Sequence, residues 1–333
     1  MAVGCAPAAS NHARERLVQR ARVSMGTELR VTLWTGDEHA AGVAIEAVFN
    51  EFERLESLMS VWRAGSDIQR LNAAAGQGAV AVSPDVIAVL RDARQISEWT
   101  DGRFDVTFAA LSDVWRFDHQ DQDNRLPDMN EVRRRLPLID YKALEIDDRA
   151  GTARLARAGM RVNLGGIGKG FAVDHGIAIL QRAGFKNFTI QSGGDLFAAG
   201  LKDGRPWRFG LQDPRGPTGR TFAAVELSDS SFSTSGDYER YFMKDGRRYH
   251  HIIDPRSGMP ARGCRSVTIL APNATLADGL STGVFLLGPA DGMALVNRLQ
   301  NVDAVIVTST NEVLVTPRLK NRLELSAAPT DAP

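Results

Sequence analysis

One stretch constrains this chain more than any other: Arg161–Asp174, RVNLGGIGKGFAVD. Arg161–Leu164 reads as a short strand. Gly165, Gly166, Gly168 and Gly170 then strip side chains from a turn that carries Lys169, and a helix reads from Phe171 onward. Backbone N–H groups in such a turn can approach an anion closely, and the following helix offers its positive end. Two familiar phosphate folds are nevertheless excluded. A P-loop needs Gly, four residues, then Gly-Lys-Ser/Thr, but Asn163 stands at the first Gly and Gly170 follows Lys169. A dinucleotide fingerprint needs G-x-G-x-x-G, and Gly166-Ile167-Gly168-Lys169-Gly170 has the wrong last spacing. A phosphate cradle and a plain strand-to-helix turn both remain open at this point.

At 333 residues, 43% hydrophobic and 24% charged, the chain suits one large or two ordinary globular domains. Its net charge of +0 argues against nucleic acid or an anionic membrane surface as partner. Arg133-Arg134-Arg135 and Arg247-Arg248 read as solvated surface. The two cysteines, Cys5 and Cys264, are too few for a disulfide framework or a metal cluster. No apolar run is long enough to span a bilayer. Ala2-Val3-Gly4-Cys5 resembles a bacterial lipoprotein cleavage box, in which the Cys is lipidated. A secretion signal needs an apolar stretch ahead of that box, so either the signal lies upstream of this chain or the match is chance; the former is favoured.

Residues 1–15 read as a disordered N-terminus, 16–325 as a single domain and 326–333 as a disordered tail. Arg16–Arg22 and Glu28–Trp34 read as strands around a Met25-Gly26-Thr27 turn, followed by a helix opened by Thr35 and Glu38 at capping-box spacing. Its stripe of Ile45, Val48, Phe49, Phe52, Leu55 and Leu58 marks core. Ser83-Pro84-Asp85 starts a second helix that runs to about Trp99. His119–Asn130 reads as a long surface loop. Strands follow the glycine stretch, with Asp245-Gly246 as a hairpin turn, then a helix over Thr275–Leu287 and another over Ala290–Leu299. Hairpins mixed with helices argue for an α+β fold rather than a doubly wound sheet.

Asp278 and Thr282, four apart on a predicted helix, share one face. A carboxylate and a hydroxyl so placed are hard oxygen ligands suited to Mg²⁺, although such pairs also occur incidentally. His250-His251 end a strand beside the Asp254-Pro255-Arg256-Ser257-Gly258 turn, where a histidine is placed for proton transfer or half-buried in the sheet. Asp195 and Asp237 read as turn residues or site acids. No Gly-x-Ser-x-Gly elbow or HExxH motif is present, so a serine hydrolase or zinc protease is unsupported.

Taken together, eight stretches resemble the ApbE-type FAD:protein FMN transferases: Ser24–Val31, Ser66–Asn72, Phe104–Thr107, Asn163–Asp174, Ser192–Leu196, Ser235–Phe242, His251–Ala261 and Leu276–Gly288. They stand in the family's order. The resemblance implies an α+β fold of two lobes with FAD in the cleft between them. It implies Mg²⁺-dependent transfer of the FMN half of FAD onto a Thr hydroxyl of a target flavoprotein, with release of AMP. By position, the metal ligands are Asp278, Thr282 and the Gly166 carbonyl. The FAD contacts are Met25, Trp62, Arg103, Phe104, Asp105, Asn163 and Lys169, and His251 is the catalytic candidate. The family's acceptors imply a membrane-associated redox subunit in the periplasm, in line with the lipobox at Cys5.

Several positions depart from the family. Asn163 replaces the usual Asp, and Trp62 stands where Tyr is common. Ser257-Gly258 replaces Thr-Gly. The usual Ala-Asp-Ala-Leu-Ala-Thr reads Ala277-Asp278-Gly279-Leu280-Ser281-Thr282, keeping both ligand positions. An FAD pyrophosphatase yielding FMN and AMP, or an FAD-binding protein without turnover, stands as the alternative; Asn163 keeps the latter open.

Overall fold

The computed structural model describes residues 14–117 and 125–332. Its organising element is an eight-stranded sheet whose strands lie side by side in chain order, every neighbouring pair antiparallel. These are β1 (Arg16–Ser24), β2 (Thr27–Thr35), β3 (Phe188–Ser192), β4 (Asp195–Ala199), β5 (Ser230–Gly236), β6 (Cys264–Ala271), β7 (Asp303–Thr308) and β8 (Val313–Val315). Met25 and Gly26, at φ 49° and 74°, make the two-residue turn that sets Ser24 opposite Thr27. Asp245-Gly246 repeats this device, at φ 49° and 71°, in the hairpin of Tyr241–Lys244 and Arg247–His250.

Side chains alternate across the sheet. Phe197 and Ala199 face a layer of helices, whereas Leu196 and Ala198 face a three-stranded sheet. The helices are α1 (Glu38–Met59), α2 (Pro84–Trp99), α3 (Gly168–Arg182), α4 (Ala274–Leu287) and α5 (Pro289–Arg298). Apart from the half-buried Leu58, the stripe expected on α1 is buried. The small sheet comprises Trp207–Gln212, Thr221–Leu227 and Leu323–Leu325. The long insertion between β2 and β3 builds the second lobe of this α+β fold, with α2 and a short sheet of its own. Trp115 and Phe117 of that insertion stack with Tyr249 and Phe242 of the hairpin.

Four expectations are corrected. The cap of α1 is Asp37, which accepts from the Ala40 amide at 2.9 Å, while the Thr35 hydroxyl accepts from the Asp37 amide. Arg161–Leu164 joins no sheet, because the Asn72 side chain takes both backbone groups of Val162, at 2.7 and 2.9 Å. Of the expected His119–Asn130 loop, residues 119–124 lie outside the described residues, and its end enters a helix, Met129–Arg135, capped by Asp128. The tail expected to be disordered is tied down as far as Asp331: Thr330 bonds to Asp213, the Pro329 carbonyl accepts from Asn311, and Arg265 donates to Asp331. Cys5 lies outside the described residues. No helix among the described residues is long and apolar enough to cross a membrane.

Candidate active site

The glycine stretch brings α3 against α4. The helix starts at Gly168, three residues earlier than expected, so Lys169 lies in its first turn. None of Gly165, Gly166, Gly168 and Gly170 has a positive φ. These glycines provide space rather than an unusual backbone. A Cβ on Gly170 would fall 2.2 Å from the Ala274 carbonyl oxygen and 2.7 Å from Asp278 Cβ, so only glycine allows the two helices to touch here. A Cβ on Gly166 would lie 3.3 Å from the Phe104 ring and 3.4 Å from Thr282 Oγ1. Gly166, Thr282 and Phe104 are thus brought together.

Asp278 is buried, 3% exposed, and its Oδ2 accepts from the Gly170 amide at 2.9 Å. That amide belongs to the first turn of α3, whose N–H groups have no partner within the helix. Lys169 Nζ lies 3.7 Å from the same oxygen and 2.6 Å from Asp195 Oδ2. Two carboxylates therefore share one ammonium. Burial, then the Asp195 charge, push the Asp278 carboxyl up to about 7, against the pull of Lys169. Burial alone would lower the Lys169 ammonium, but Asp195 and Asp278 outweigh it and hold Lys169 charged.

The donor set fits a small hard divalent cation. Asp278 Oδ1 carries no hydrogen bond among the described residues, and the Thr282 hydroxyl, one turn further along α4, faces the bare backbone of Gly166. Two carboxylates face a single ammonium here, and oxygen is the donor type that Mg²⁺ prefers. Among the described residues no cluster of three His, Cys, Asp or Glu could hold a metal. A cation here would therefore depend on Asp278, the Thr282 hydroxyl and the Gly166 carbonyl, completed by substrate oxygens.

The two adjacent histidines divide. His250 is 3% exposed and its Nε2 bonds the Ala261 carbonyl at 2.8 Å, so it is a core residue. His251 is partly buried, and its Nδ1 lies 3.4 Å from the Arg240 carbonyl oxygen. Burial, then His250, Arg240 and Lys169, hold its imidazole well below the usual range, at about 3, so it is neutral at neutral pH. Arg103 Nη1 meets Asp254 Oδ2 at 3.0 Å, tying the loop that carries Phe104 to the turn that follows His251.

The other expected contacts are placed less directly. The Asn163 amide donates to the Val106 carbonyl, and its Oδ1 accepts from the Gly165 amide at 2.7 Å, shaping the start of the turn. Both oxygens of Asp105 are occupied: Oδ1 by Thr107 and Oδ2 by the Tyr141 amide. That residue caps and orients its loop. Met25 donates its amide to Glu56 Oε2 at 3.2 Å, and Glu56 pairs with Arg63. Next to Arg63, Trp62 is 89% exposed. The end of α1 abuts the glycine turn, since Met59 lies 4.0 Å from a Cβ on Gly168.

Sequence reasoning missed Ser233, Ser235 and Ser281 and left Asp195 as a turn residue or an acid. Asp195 holds Lys169, and Ser233 Oγ donates to its Oδ1 at 2.5 Å. The signal was absent because these partners lie on separate strands and helices. Asp237 is not a site acid: Arg215 clamps it with bonds of 2.6 and 2.7 Å.

Comparison with known proteins identifies the family and the fold. The family model described as the ApbE family matches residues 25–306. A FAD:protein FMN transferase of Treponema pallidum is 34% identical over 94% of this chain and 90% of its own length. One from Klebsiella pneumoniae is 31% identical, over 90% and 92%. The ApbE protein of Thermotoga maritima superposes with a TM-score of 0.84 at 31% identity, over 92% of this chain and 99% of that one. For the flavin transferase ApbE of Vibrio cholerae the TM-score is 0.81 at 26% identity, over the same shares. With the family model matching residues 25–306 and a relative 34% identical over most of both chains, the chain belongs to the ApbE family.

Proposed function

We propose that this protein is a FAD:protein FMN transferase, which moves the FMN half of FAD onto a Thr hydroxyl of an acceptor flavoprotein. The observation that carries this reading is that the glycine turn at the start of α3 meets α4 twice, Gly166 against Thr282 and Gly170 against Asp278, with Lys169 beside the Asp278 carboxylate. The Thr oxygen forms a bond to the FMN phosphorus, the bond from that phosphorus to the bridging oxygen breaks, and AMP leaves with that oxygen. Mg²⁺ held by Asp278, Thr282 and the Gly166 carbonyl would neutralise pyrophosphate charge. Lys169 adds a fixed positive charge from the first turn of α3. His251 is neutral, and with Nδ1 turned to the Arg240 carbonyl its Nε2 accepts the proton of the incoming hydroxyl. The exposed indole of Trp62 offers a stacking surface for a flavin ring in the cleft between the lobes. The nucleophile belongs to the acceptor, so this chain needs no activated serine or cysteine.

The family resemblance supports a membrane-associated redox subunit as acceptor, facing the periplasm. Lipidation at Cys5 would hold the enzyme beside it.

Incubation with FAD and Mg²⁺, with and without an acceptor domain, tests the reading. AMP released only with acceptor, together with covalently flavinylated acceptor, is expected, and Asp278→Ala abolishes both. AMP and free FMN without acceptor would make the protein a pyrophosphatase. FAD left intact in both reactions would remove any catalytic reading.

A further inference from the structure

Four hydroxyls and a carboxylate run from Asp195 to Thr282 through the packed face between β5 and α4. Ser233 Oγ lies 2.5 Å from Asp195 Oδ1, and Ser281 Oγ lies 2.8 Å from the Asp278 carbonyl oxygen. Ser235 Oγ lies 2.8 Å from Ser281 Oγ and 3.1 Å from Thr282 Oγ1. Ser233 and Ser281 are fully buried, so bulk water does not set their protons.

Each hydroxyl has one proton to donate. A carboxylate and a carbonyl only accept, so the proton of Ser233 goes to Asp195 and that of Ser281 to the Asp278 carbonyl. Ser281 then has none left for Ser235, and Ser235 must donate to it. Ser235 in turn has none left for Thr282, which must donate to Ser235. The 3.3 Å contact between Ser233 and Ser281 is the longest of the set, as expected for two oxygens whose protons are both committed elsewhere.

We infer that Ser235 and Ser281 are positioning residues that draw the Thr282 proton toward β5 and leave its lone pairs free for a divalent cation on the Gly166 side. The inference rests on the metal reading above. Neither serine touches the cation. They act through Thr282, as groups beyond the ligands commonly fix ligand orientation at metal sites. Ser281 stands where the usual motif has Ala. Replacing Ser281 removes the acceptor of the Ser235 proton. That proton is then free to turn to Thr282 and push the Thr282 proton into the site.

Mn²⁺ titration of the full chain, followed by electron paramagnetic resonance with and without ADP, reads this directly. Ser235→Ala is expected to weaken Mn²⁺ about tenfold with an unchanged melting temperature. Ser281→Ala weakens it less, and Ser235→Thr, which keeps a hydroxyl, restores it. Wild-type Mn²⁺ affinity in folded Ser235→Ala and Ser281→Ala overturns the inference while leaving the metal site standing. If Asp278→Ala does not weaken Mn²⁺, or if the wild type binds none in either condition, the metal reading falls and takes this inference with it.

Discussion

His251 shows how one side chain acquires its chemistry from its surroundings. In the unfolded chain its imidazole titrates at the ordinary value of 6.5; in the fold it is held at about 3 by burial and by His250, Arg240 and Lys169. The unfolded state thus binds a proton that the folded state refuses between those values. Stability from the neutral ring is complete above 6.5 and drains away as pH falls from there toward 3. Asp278, raised to about 7, acts with the opposite sign above its ordinary value, so the comparison must be a difference between proteins. Denaturation at about pH 7 and about pH 5 is expected to show a smaller acid loss in His251→Gln than in the wild type. Equal losses would remove the depressed imidazole. The motif marked His251, but its neighbour separates from it only through the Ala261 carbonyl, eleven residues beyond His250. Asn163 is similar: its departure from the family was plain in the sequence, whereas its acceptor role toward the Gly165 amide needed coordinates. An Asp there would accept that same bond, so the departure changes charge rather than turn geometry.

Helices α3 and α4 form the element on which the site depends, and their contact is set by glycine. Gly170→Ala drives a Cβ into the Ala274 carbonyl, and no flexible side chain is available to give way. The expected cost is about 1–3 kcal/mol in urea denaturation. Mn²⁺ affinity falls with it, because the Gly170 amide orients Asp278. Wild-type stability and affinity in that variant would show that the close approach is dispensable. Gly279 has a related cause: its missing Cβ leaves room for Ile96 Cδ1, which would otherwise lie 2.2 Å away. The hairpins were legible because Met25-Gly26 and Asp245-Gly246 encode their turns locally. The would-be strand at Arg161–Leu164 was misread because its hydrogen-bonding partner, Asn72, lies ninety residues earlier, and no local pattern carries that information.

Across the whole molecule, the sheet separates two tasks. The helices on one face carry the site, while the small sheet on the other is closed by the C-terminal tail. Thr330 donates twice to Asp213 Oδ2, at 3.0 Å from its amide and 2.6 Å from its hydroxyl. Arg265 of β6 donates to the Thr330 carbonyl, and the Phe222 carbonyl accepts from Ser326. Burial alone would raise the Asp213 carboxyl, but these bonds and its backbone donors hold it below the ordinary range. The tail reads as disordered in sequence because it is a short terminus of small residues and proline; its order comes from acceptors more than a hundred residues away. Deleting residues 326–333 removes several hydrogen bonds, some to a charged group. The expected loss is about 3 kcal/mol in urea denaturation. Mn²⁺ affinity is expected to stay at the wild-type value, because Asp278 and Thr282 belong to the helix layer on the opposite face. Loss of Mn²⁺ binding in a folded truncated protein would mean that the two faces are coupled through the sheet and that the tail supports the site as well as the fold.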